Sequence, residues 1–333
     1  MRTSIRDVAE QAGVSAVTVS NVLRGRPGRA SAATRARVLK AAKKLRYAPV
    51  SQPVTQKRHV ETRVIGLVFD GTPLEGLWGM PTFWGMREAA VEHDYDLLTM
   101  LRVRPDWMMD QEELQFLDRR SDGFIFIAPG NRYQTLEVLV KHKLPVVACF
   151  TNDVPEEVPA IMLDNAGAMH QAVDHLIARG HQRILFLTAS MDRSDFKTRQ
   201  SGFEEAMNQA GLLPKVLLVR DLQEPGCEEK LVTTLARQQI TAVVCATDTL
   251  AYAVWDVMEN KGRSVPQDLS IIGMDDLAES AQRGLTSIRY SCEEVGRRTI
   301  EAIVSLMQGG VAKSMNSVVP VELVERASVA SLP

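Results

Sequence analysis

The sequence predicts an α/β protein that carries a small helical unit at its N-terminus, and three observations lead to this fold class. The first is a pattern of two short helices between Ile5 and Gly28. The second is a series of apolar runs of strand length after Arg63, which alternate with helical patterns. The third is a reversal of net charge at the same point, from +11 over residues 1–63 to −13 over the rest of the 333-residue chain. We therefore expect two bodies with different partners.

The first of these helices is predicted from one apolar stripe and a turn. Ile5, Val8 and Ala9 recur at helical spacing, and Ala9 is small where a second helix must approach closely. Gly13 suits the turn, because a residue without a side chain closes a helix in the left-handed conformation at least cost. The spacing is typical of a helix-turn-helix, although a small helical bundle without DNA contact can imitate it.

The second helix is expected to begin after a cap at Ser15 and to bury Val19, Val22 and Leu23. A third helix, capped by Ser31, is expected to reach about Tyr47. The basic charge of this segment is what the phosphates of DNA attract, and affinity of that kind falls steeply with salt. An acidic remainder would repel DNA, so the N-terminal segment is the expected contact surface.

The positions of the second helix that are left exposed are the candidates for reading DNA bases. Ala16 and Val17 suit contact with thymine methyl groups, and Asn21 can pair with adenine. Residues that could instead contact phosphates, and so position the protein without reading sequence, are Ser15, Thr18, Ser20, Arg26, Arg29, Ser31, Thr34 and Arg35. The alternative for each single residue is a solvated position in a loop or at the start of a helix.

The remainder of the chain alternates between strand and helix patterns, which favours parallel sheets with crossover helices. Strands are predicted at Val64 to Phe69, Gly123 to Ala128, Val146 to Phe150, Ile184 to Thr188, Ala242 to Ala246 and Leu269 to Gly273. Helices are predicted at Gly85 to His93, Ala166 to Arg179, Gly202 to Ala210 and Leu250 to Asn260. Ligands of such sheets bind outside the carboxyl ends of the strands.

The strings "DVAEQAGVSAVTVSNVL" and "TRARVLKAAKKLRYAP" resemble the headpiece of the LacI/GalR family of bacterial transcription regulators. The likeness continues through "DN" at Asp164, "HLIARGHQRILFL", "RQSGFEEAMNQAG", "VPQDLSIIGMDD" and "LTSIRYSCEEVG", and so spans nearly the whole chain. It implies a helix-turn-helix headpiece over residues 1–49, a hinge linker over 50–62, and a two-lobed effector-binding and dimerisation domain over 63–333. The two sheets of that domain would face each other across a cleft, as in a periplasmic sugar-binding protein.

The resemblance implies a regulator, expected to be a repressor, whose affinity for DNA changes with a small effector in the cleft. The effector would be a sugar, a sugar derivative or a nucleobase. One headpiece reads few bases, so we expect a homodimer on a near-palindromic double-stranded operator. An enzyme that acts on a small molecule, with the basic head as an anchor, is the alternative, but the sequence offers no recognisable catalytic grouping.

Several residues are expected to bind the effector. Arg199 matches the family's effector-binding arginine, and Asp275 matches the first aspartate of "GMDD". Asp70 closes the first strand, and Trp78 follows it in a loop with Phe83 and Trp84, where an aromatic ring could stack on a sugar. The alternatives are that Arg199 and Asp275 pair with each other and that the aromatic side chains are merely packed.

Three departures from the family pattern modify these expectations. Thr247 stands where an asparagine is usual, and Phe150 stands where a strand usually ends in an aspartate that faces the cleft. Both are expected to contribute to the effector site in place of those residues. In the linker, Pro53 enters the segment, and Gln56 lies about where the family places a leucine in the minor groove of DNA. Val54 and Gln56 are therefore the hinge candidates, with a weaker wedge than the family pattern implies.

The remaining composition argues against other classes of protein. We see no hydrophobic core of a signal peptide and no apolar run that could span a bilayer, so a cytoplasmic protein is expected. The four cysteines are far apart without a CxxC motif, and the six histidines show no metal-binding grouping. We expect no metal and no cofactor, and we expect His181 to be structural.

Overall fold

The computed structural model describes residues 4–23, 30–45, 47, 61–69, 79–101, 116, 120–129, 133–188, 193–219, 222 and 224–333. Three helices form the N-terminal unit: α1 Ile5–Ala12, α2 Ala16–Leu23 and α3 Ala32–Lys44. Their buried faces meet in one apolar cluster around Val8, Val19 and Val38. We call this unit the headpiece.

Local signals set the ends of the headpiece helices. Gly13 ends α1 with a φ of 64°, in the left-handed region. The Ser15 hydroxyl accepts a hydrogen bond from the Thr18 N–H at 3.1 Å, and the Ser31 hydroxyl accepts one from the Thr34 N–H at 3.2 Å. Both are N-caps, as expected, although α3 ends at Lys44 rather than near Tyr47.

The rest of the described chain forms two parallel-sheet lobes. The strands are β1 Val64–Phe69, β2 Asp96–Leu101, β3 Gly123–Ile127, β4 Val146–Cys149, β5 Ala160–Leu163, β6 Ile184–Thr188, β7 Lys215–Leu218, β8 Ala242–Cys245, β9 Ser270–Met274, β10 Thr286–Tyr290, β11 Ser317–Val319 and β12 Val321–Val324. The helices are α4 Gly79–Glu92, α5 Tyr133–Lys141, α6 Asn165–Ile177, α7 Ser194–Gln209, α8 Cys227–Arg237, α9 Asp248–Asn260, α10 Ala278–Arg283 and α11 Cys292–Met307.

The strand order divides these elements into an N-lobe and a C-lobe. The N-lobe sheet has the order β11-β5-β4-β3-β1-β2, and the C-lobe sheet has the order β12-β10-β9-β8-β6-β7. Neighbouring strands are parallel except β10 and β12. The chain therefore passes between the lobes three times: after β5, after β10, and between β11 and β12. The α/β fold with parallel sheets is confirmed.

Close helix packing holds the N-lobe together. Helices α4 and α11 approach so closely that a Cβ at Gly296 would lie 2.2 Å from the carbonyl oxygen of Thr82. A Cβ at Gly85 would lie 2.0 Å from the carbonyl oxygen of Glu293. Each position therefore requires glycine for the approach of two backbones.

The final residues pack back onto the C-lobe. The Leu332 N–H donates to the Arg179 carbonyl at 2.8 Å. Buried His181 bonds to the Thr241 hydroxyl at 2.9 Å and to the Ala330 carbonyl at 3.0 Å, and burial lowers its pKa. Its structural role agrees with the expectation.

Two aromatic side chains lie elsewhere than expected. Phe83 and Trp84 are inside α4 rather than in a loop, because that helix begins at Gly79. Their rings meet edge to face with centroids 6.0 Å apart, and Trp84 also lies under the Arg87 guanidinium. Helix α4 was expected to begin six residues later, at Gly85. Within the described ranges, no helix is long and apolar enough to cross a membrane.

Candidate functional site

Helix α2 presents the side chains that were predicted to read bases. Val17 is 69% exposed, so its methyl groups are accessible to a binding partner. Ala16, Ser20 and Asn21 are partly exposed, while Val19 and Val22 are buried on the opposite face. One surface of α2 thus combines an apolar group with an amide, the combination that contacts thymine and adenine edges in the major groove.

The hydroxyls expected to contact phosphate already serve the helix ends. The Ser15 and Thr18 hydroxyls lie 2.9 Å apart, and the Ser31 hydroxyl donates to that of Thr34 at the same distance. These pairs leave each helix N-terminus polar, a favourable place for a phosphate. Basic residues that are exposed on α3 are Arg37, Lys40, Lys43 and Lys44.

Some predicted residues lie outside the described ranges. These are Arg26 and Arg29 of the headpiece, Val54 and Gln56 of the linker, and Asp70 and Trp78 beyond β1. Arg35 is described and lies in the first turn of α3, where it is partly exposed.

The carboxyl ends of the strands of both lobes meet at one place, which we call the cleft. The Thr151 hydroxyl, just after β4 of the N-lobe, lies 2.9 Å from the Ser194 hydroxyl at the start of α7 in the C-lobe. Asn152 donates its backbone N–H to the same Ser194 oxygen at 3.3 Å. Ligands of doubly wound sheets bind at such strand ends.

Four of the eight non-glycine residues that have positive φ in the described ranges lie at these strand ends. Ala128 after β3, Phe150 after β4, and Asp275 and Asp276 after β9 all have positive φ values, of 47°, 60°, 124° and 49°. Residues other than glycine adopt such angles at a cost of about 1–3 kcal/mol each and do so mainly at functional sites.

Arg199 lies deep in the cleft and is 4% exposed. Its Nε donates to the side-chain oxygen of Asn165 at 2.8 Å, and its Nη1 donates to the carbonyl oxygen of Ala246 at 2.5 Å. Its guanidinium also lies over the ring of Phe196, 5.5 Å from the centroid. Among the described residues these partners leave Nη2 able to donate to a ligand.

Asp275 faces Arg199 but is bound by other groups. The Tyr290 hydroxyl donates to its Oδ1 at 2.9 Å, and the backbone N–H of Asp248 donates to its carboxyl group. Burial raises the pKa of Asp275 to about 7, although the charge of Arg199 lowers it in part. Arg199 and Asp275 therefore interact through their charges, and the described hydrogen bonds of each side chain go to other partners.

A buried hydrogen-bond network centred on Asp248 lies next to Asp275. The carboxylate of Asp248 accepts hydrogen bonds from the Ser280 hydroxyl at 2.5 Å, the Ser287 hydroxyl at 2.6 Å and the Leu277 N–H at 2.9 Å. Burial raises the pKa of Asp248 despite these donors. Three donors on one carboxylate hold the ends of β8, β9 and β10 in register.

The two residues that depart from the family pattern have different roles. Thr247 caps α9, since its hydroxyl accepts from the Leu250 N–H at 3.3 Å, and it bonds to the Thr249 hydroxyl at 2.9 Å. Phe150 is partly buried and packs against the main core. An aromatic residue that packs on the core thus follows β4 at the position where the family pattern has an aspartate.

Sequence reasoning missed three residues of this site. Asn165 was noted only as part of a motif, and neither Tyr290 nor Ser194 was singled out. The available signal was position in the chain, because Tyr290 ends β10, and β10 pairs with β9, which Asp275 follows directly. Among the described residues, no group of three or more His, Cys, Asp or Glu side chains could hold a metal ion.

Comparison with known proteins decides the family. Residues 4–50 match the model for bacterial regulatory proteins of the lacI family, and residues 173–329 match the periplasmic binding protein-like domain. The transcriptional regulator DegA of Bacillus subtilis is 31% identical over 100% of this chain and 99% of its own length. The chain belongs to the lacI family. It is therefore a DNA-binding transcriptional regulator and not an enzyme.

Other relatives of this lacI-family protein extend along its full length. The transcriptional repressor CytR of Escherichia coli is 28% identical over 99% of this chain and 97% of its own length. A solved transcriptional regulator CelR–cellobiose complex is 26% identical, with a TM-score of 0.70 over 98% of this chain and 100% of that one. The lac repressor dimer bound to operator shares the fold, with a TM-score of 0.67 at 23% identity over 99% of this chain and 100% of that one.

Proposed function

We propose that this lacI-family regulator is a repressor. Residues 1–49 read DNA, and residues 63–333 form the domain that dimerises and binds a small effector. Residues 50–62 form the hinge between these two parts. The effector is a sugar or a sugar derivative in the cleft, and the target is a near-palindromic operator read by two headpieces in the cytoplasm. Repressor activity is supported by the name of CytR, and a sugar by the cellobiose complex of CelR. Dimeric binding is supported by the lac repressor dimer on its operator.

The observation that carries the DNA-binding part is the surface of α2, where Val17 is exposed beside Asn21. A bidentate amide contact with adenine discriminates against a wrong base by about 1–3 kcal/mol. Phosphate contacts do not discriminate, because every sequence offers the same backbone.

The Asn21→Ala variant tests this part. We expect it to lose about tenfold or more in affinity for an operator selected from random DNA, and much less for random DNA itself. Arg37→Ala, on the exposed face of α3, is the matched control and should weaken both equally or leave both unchanged. Fluorescence anisotropy at two salt concentrations measures the affinities. An equal loss of affinity for both DNAs in Asn21→Ala would show that Asn21 does not read bases.

The effector part depends on Arg199, which is buried and whose Nη2 has no hydrogen-bond partner among the described residues. We expect Arg199→Ala to bind operator as the natural chain does and to lose the response to effector, because the headpiece is untouched. A thermal-shift screen of sugars and metabolites finds the effector, since a ligand of the folded state raises the melting temperature. A normal effector response in Arg199→Ala would show that the ligand binds elsewhere.

A further inference from the structure

A short segment of the N-lobe reaches across the cleft to the C-lobe. The chain turns after β4, where Phe150 has a φ of 60°, and the next residues leave the N-lobe sheet. Thr151, the first of them, is 8% exposed and places its hydroxyl 2.9 Å from the hydroxyl of Ser194. Ser194 is the first residue of α7 in the C-lobe. The two lobes are therefore joined by a side-chain contact as well as by the chain itself.

Two backbone groups complete this contact. The Asp153 N–H donates to the Thr151 hydroxyl at 3.1 Å, and the Asn152 N–H donates across the cleft to the Ser194 hydroxyl at 3.3 Å. Each hydroxyl oxygen thus accepts from a backbone N–H, and one hydroxyl donates to the other. Arg193, not Ser194, is the N-cap residue of α7, so the Ser194 hydroxyl is directed to the other lobe instead of to its own helix. We call Thr151, Asn152 and Ser194 the clasp.

The clasp lies away from the points where the chain passes between the lobes. The second and third passages adjoin β10 and β12, and the first lies beside the third, since the Asp164 N–H donates to the Val319 carbonyl at 3.1 Å. Helix α7 instead follows β6, which is separated from β10 by β9 and β8. Three strand spacings correspond to about 14 Å, so a lobe rotation of about 10° about the passages would move Ser194 by about 2 Å. That displacement is enough to break hydrogen bonds of 2.9 and 3.3 Å, and the clasp is therefore compatible with only a narrow range of lobe orientations.

We propose that the clasp holds the two lobes in one closed arrangement and must break when the cleft opens. All of its hydrogen-bonding groups belong to the chain, so the closed arrangement needs no contact with an effector. One hydrogen bond changes such an equilibrium by a factor of about 2–10, so the loss of both bonds across the cleft should shift it by about fourfold or more. For its effect on DNA affinity the inference rests on the proposed function, because a shift between lobe arrangements changes that affinity only if the two arrangements bind DNA differently.

Distances between the lobes test the clasp without knowledge of the effector. Spin labels are attached through unnatural amino acids at Gln134 of α5 and Glu229 of α8, which are exposed positions on opposite lobes. Pulsed electron paramagnetic resonance then measures the distance between the labels in the full chain, and an excess of unlabelled chain restricts the signal to pairs within one molecule.

Three variants are compared with the natural chain. Ser194→Ala removes both hydrogen bonds across the cleft, and Thr151→Val removes the bond between the two hydroxyls. Thr198→Val is the matched control on the same helix, because the Thr198 hydroxyl donates at 2.9 Å to the Ser194 carbonyl, within the C-lobe.

We expect the natural chain and Thr198→Val to share one main distance. Ser194→Ala should gain a population whose labels are ~3 Å or more farther apart, because β7, which α8 follows, lies four strand spacings from β10. Thr151→Val should gain the same population to a smaller extent, and it decides the question if Ser194→Ala does not fold. Distance distributions of Ser194→Ala and Thr151→Val that coincide with that of the natural chain would overturn the proposal, and so would an equal change in Thr198→Val.

Affinity for DNA separates the clasp from the proposed function. The probe is the DNA that the natural chain selects from a random pool, and we expect Ser194→Ala to change its affinity by about twofold or more. A longer distance together with a changed affinity supports both the clasp and the control of DNA binding by the lobes. A longer distance with an unchanged affinity supports the clasp and contradicts that control. An unchanged distance overturns the clasp, whatever the affinity for DNA.

Discussion

Replacing Asp275 by asparagine should change how the stability of this protein depends on pH. Burial raises the pKa of the carboxyl group from 3.8 to about 7, and the charge of Arg199 offsets this only in part. The folded protein therefore binds more protons than the unfolded chain between these values. The free energy of unfolding must fall as the pH rises through this window.

The size of the effect follows from the displaced pKa. One pKa unit corresponds to about 1.4 kcal/mol, so the cost of burying Asp275 is about 2 kcal/mol at pH 5.5 and about 4 kcal/mol at pH 8. The natural chain should accordingly lose about 2 kcal/mol more than Asp275→Asn between these two pH values. The amide oxygen of asparagine can still accept the Tyr290 hydroxyl, so the local geometry should persist.

Urea unfolding at a series of pH values measures this difference. Tryptophan fluorescence reports on the C-lobe through Trp255, which lies in α9 of the same lobe as Asp275. Asp174→Asn, at an exposed position of α6, is the matched control and should follow the natural chain. Parallel pH profiles for the natural chain and Asp275→Asn would refute the reasoning, because they would mean that folding does not shift the pKa of this carboxyl group.

Two further predictions concern packing. Gly296→Ala should lower the free energy of unfolding by about 3 kcal/mol, because its Cβ would meet the Thr82 carbonyl oxygen at 2.2 Å; an unchanged urea midpoint would contradict the close approach of α4 and α11. Removal of residues 331–333 should lower the melting temperature slightly, through loss of the Leu332–Arg179 hydrogen bond, and should leave assembly unchanged. Analytical ultracentrifugation measures the oligomeric state of the truncated chain, and a change in that state would contradict the prediction.

The central strands could be predicted from the sequence because both of their faces are buried. Runs such as those of β1 and β6 are apolar throughout, and their bounds agree with the structure. Strands β2, β7 and β10 were not predicted, because each includes polar or charged residues that face outward. In β10, for example, Arg289 forms an ion pair with Asp276 at 2.6 Å. Strands β5, β11 and β12, of four, three and four residues, were not predicted either.

The candidate effector site could be predicted only in part. The resemblance indicated Arg199 and Asp275, but it could not show which groups bind them. Asn165 and Ala246, the partners of Arg199, lie 34 and 47 residues away along the chain, and only the fold brings them together. The placement of Trp84 in a loop was wrong because Gly79 and Pro81 look like a turn in the sequence, whereas they form the first turn of α4.

The three passages of the chain between the lobes also determine when each lobe can be completed during synthesis. The N-lobe sheet ends with β11, and its helix α11 follows β10, so this lobe lacks an edge strand and a packing helix until residue 319 has been made. The headpiece has all its helices by residue 44. Domains generally fold as units from the N-terminus during translation. A ribosome that stops within the body would therefore release a headpiece able to fold, attached to two lobes that are both unfinished.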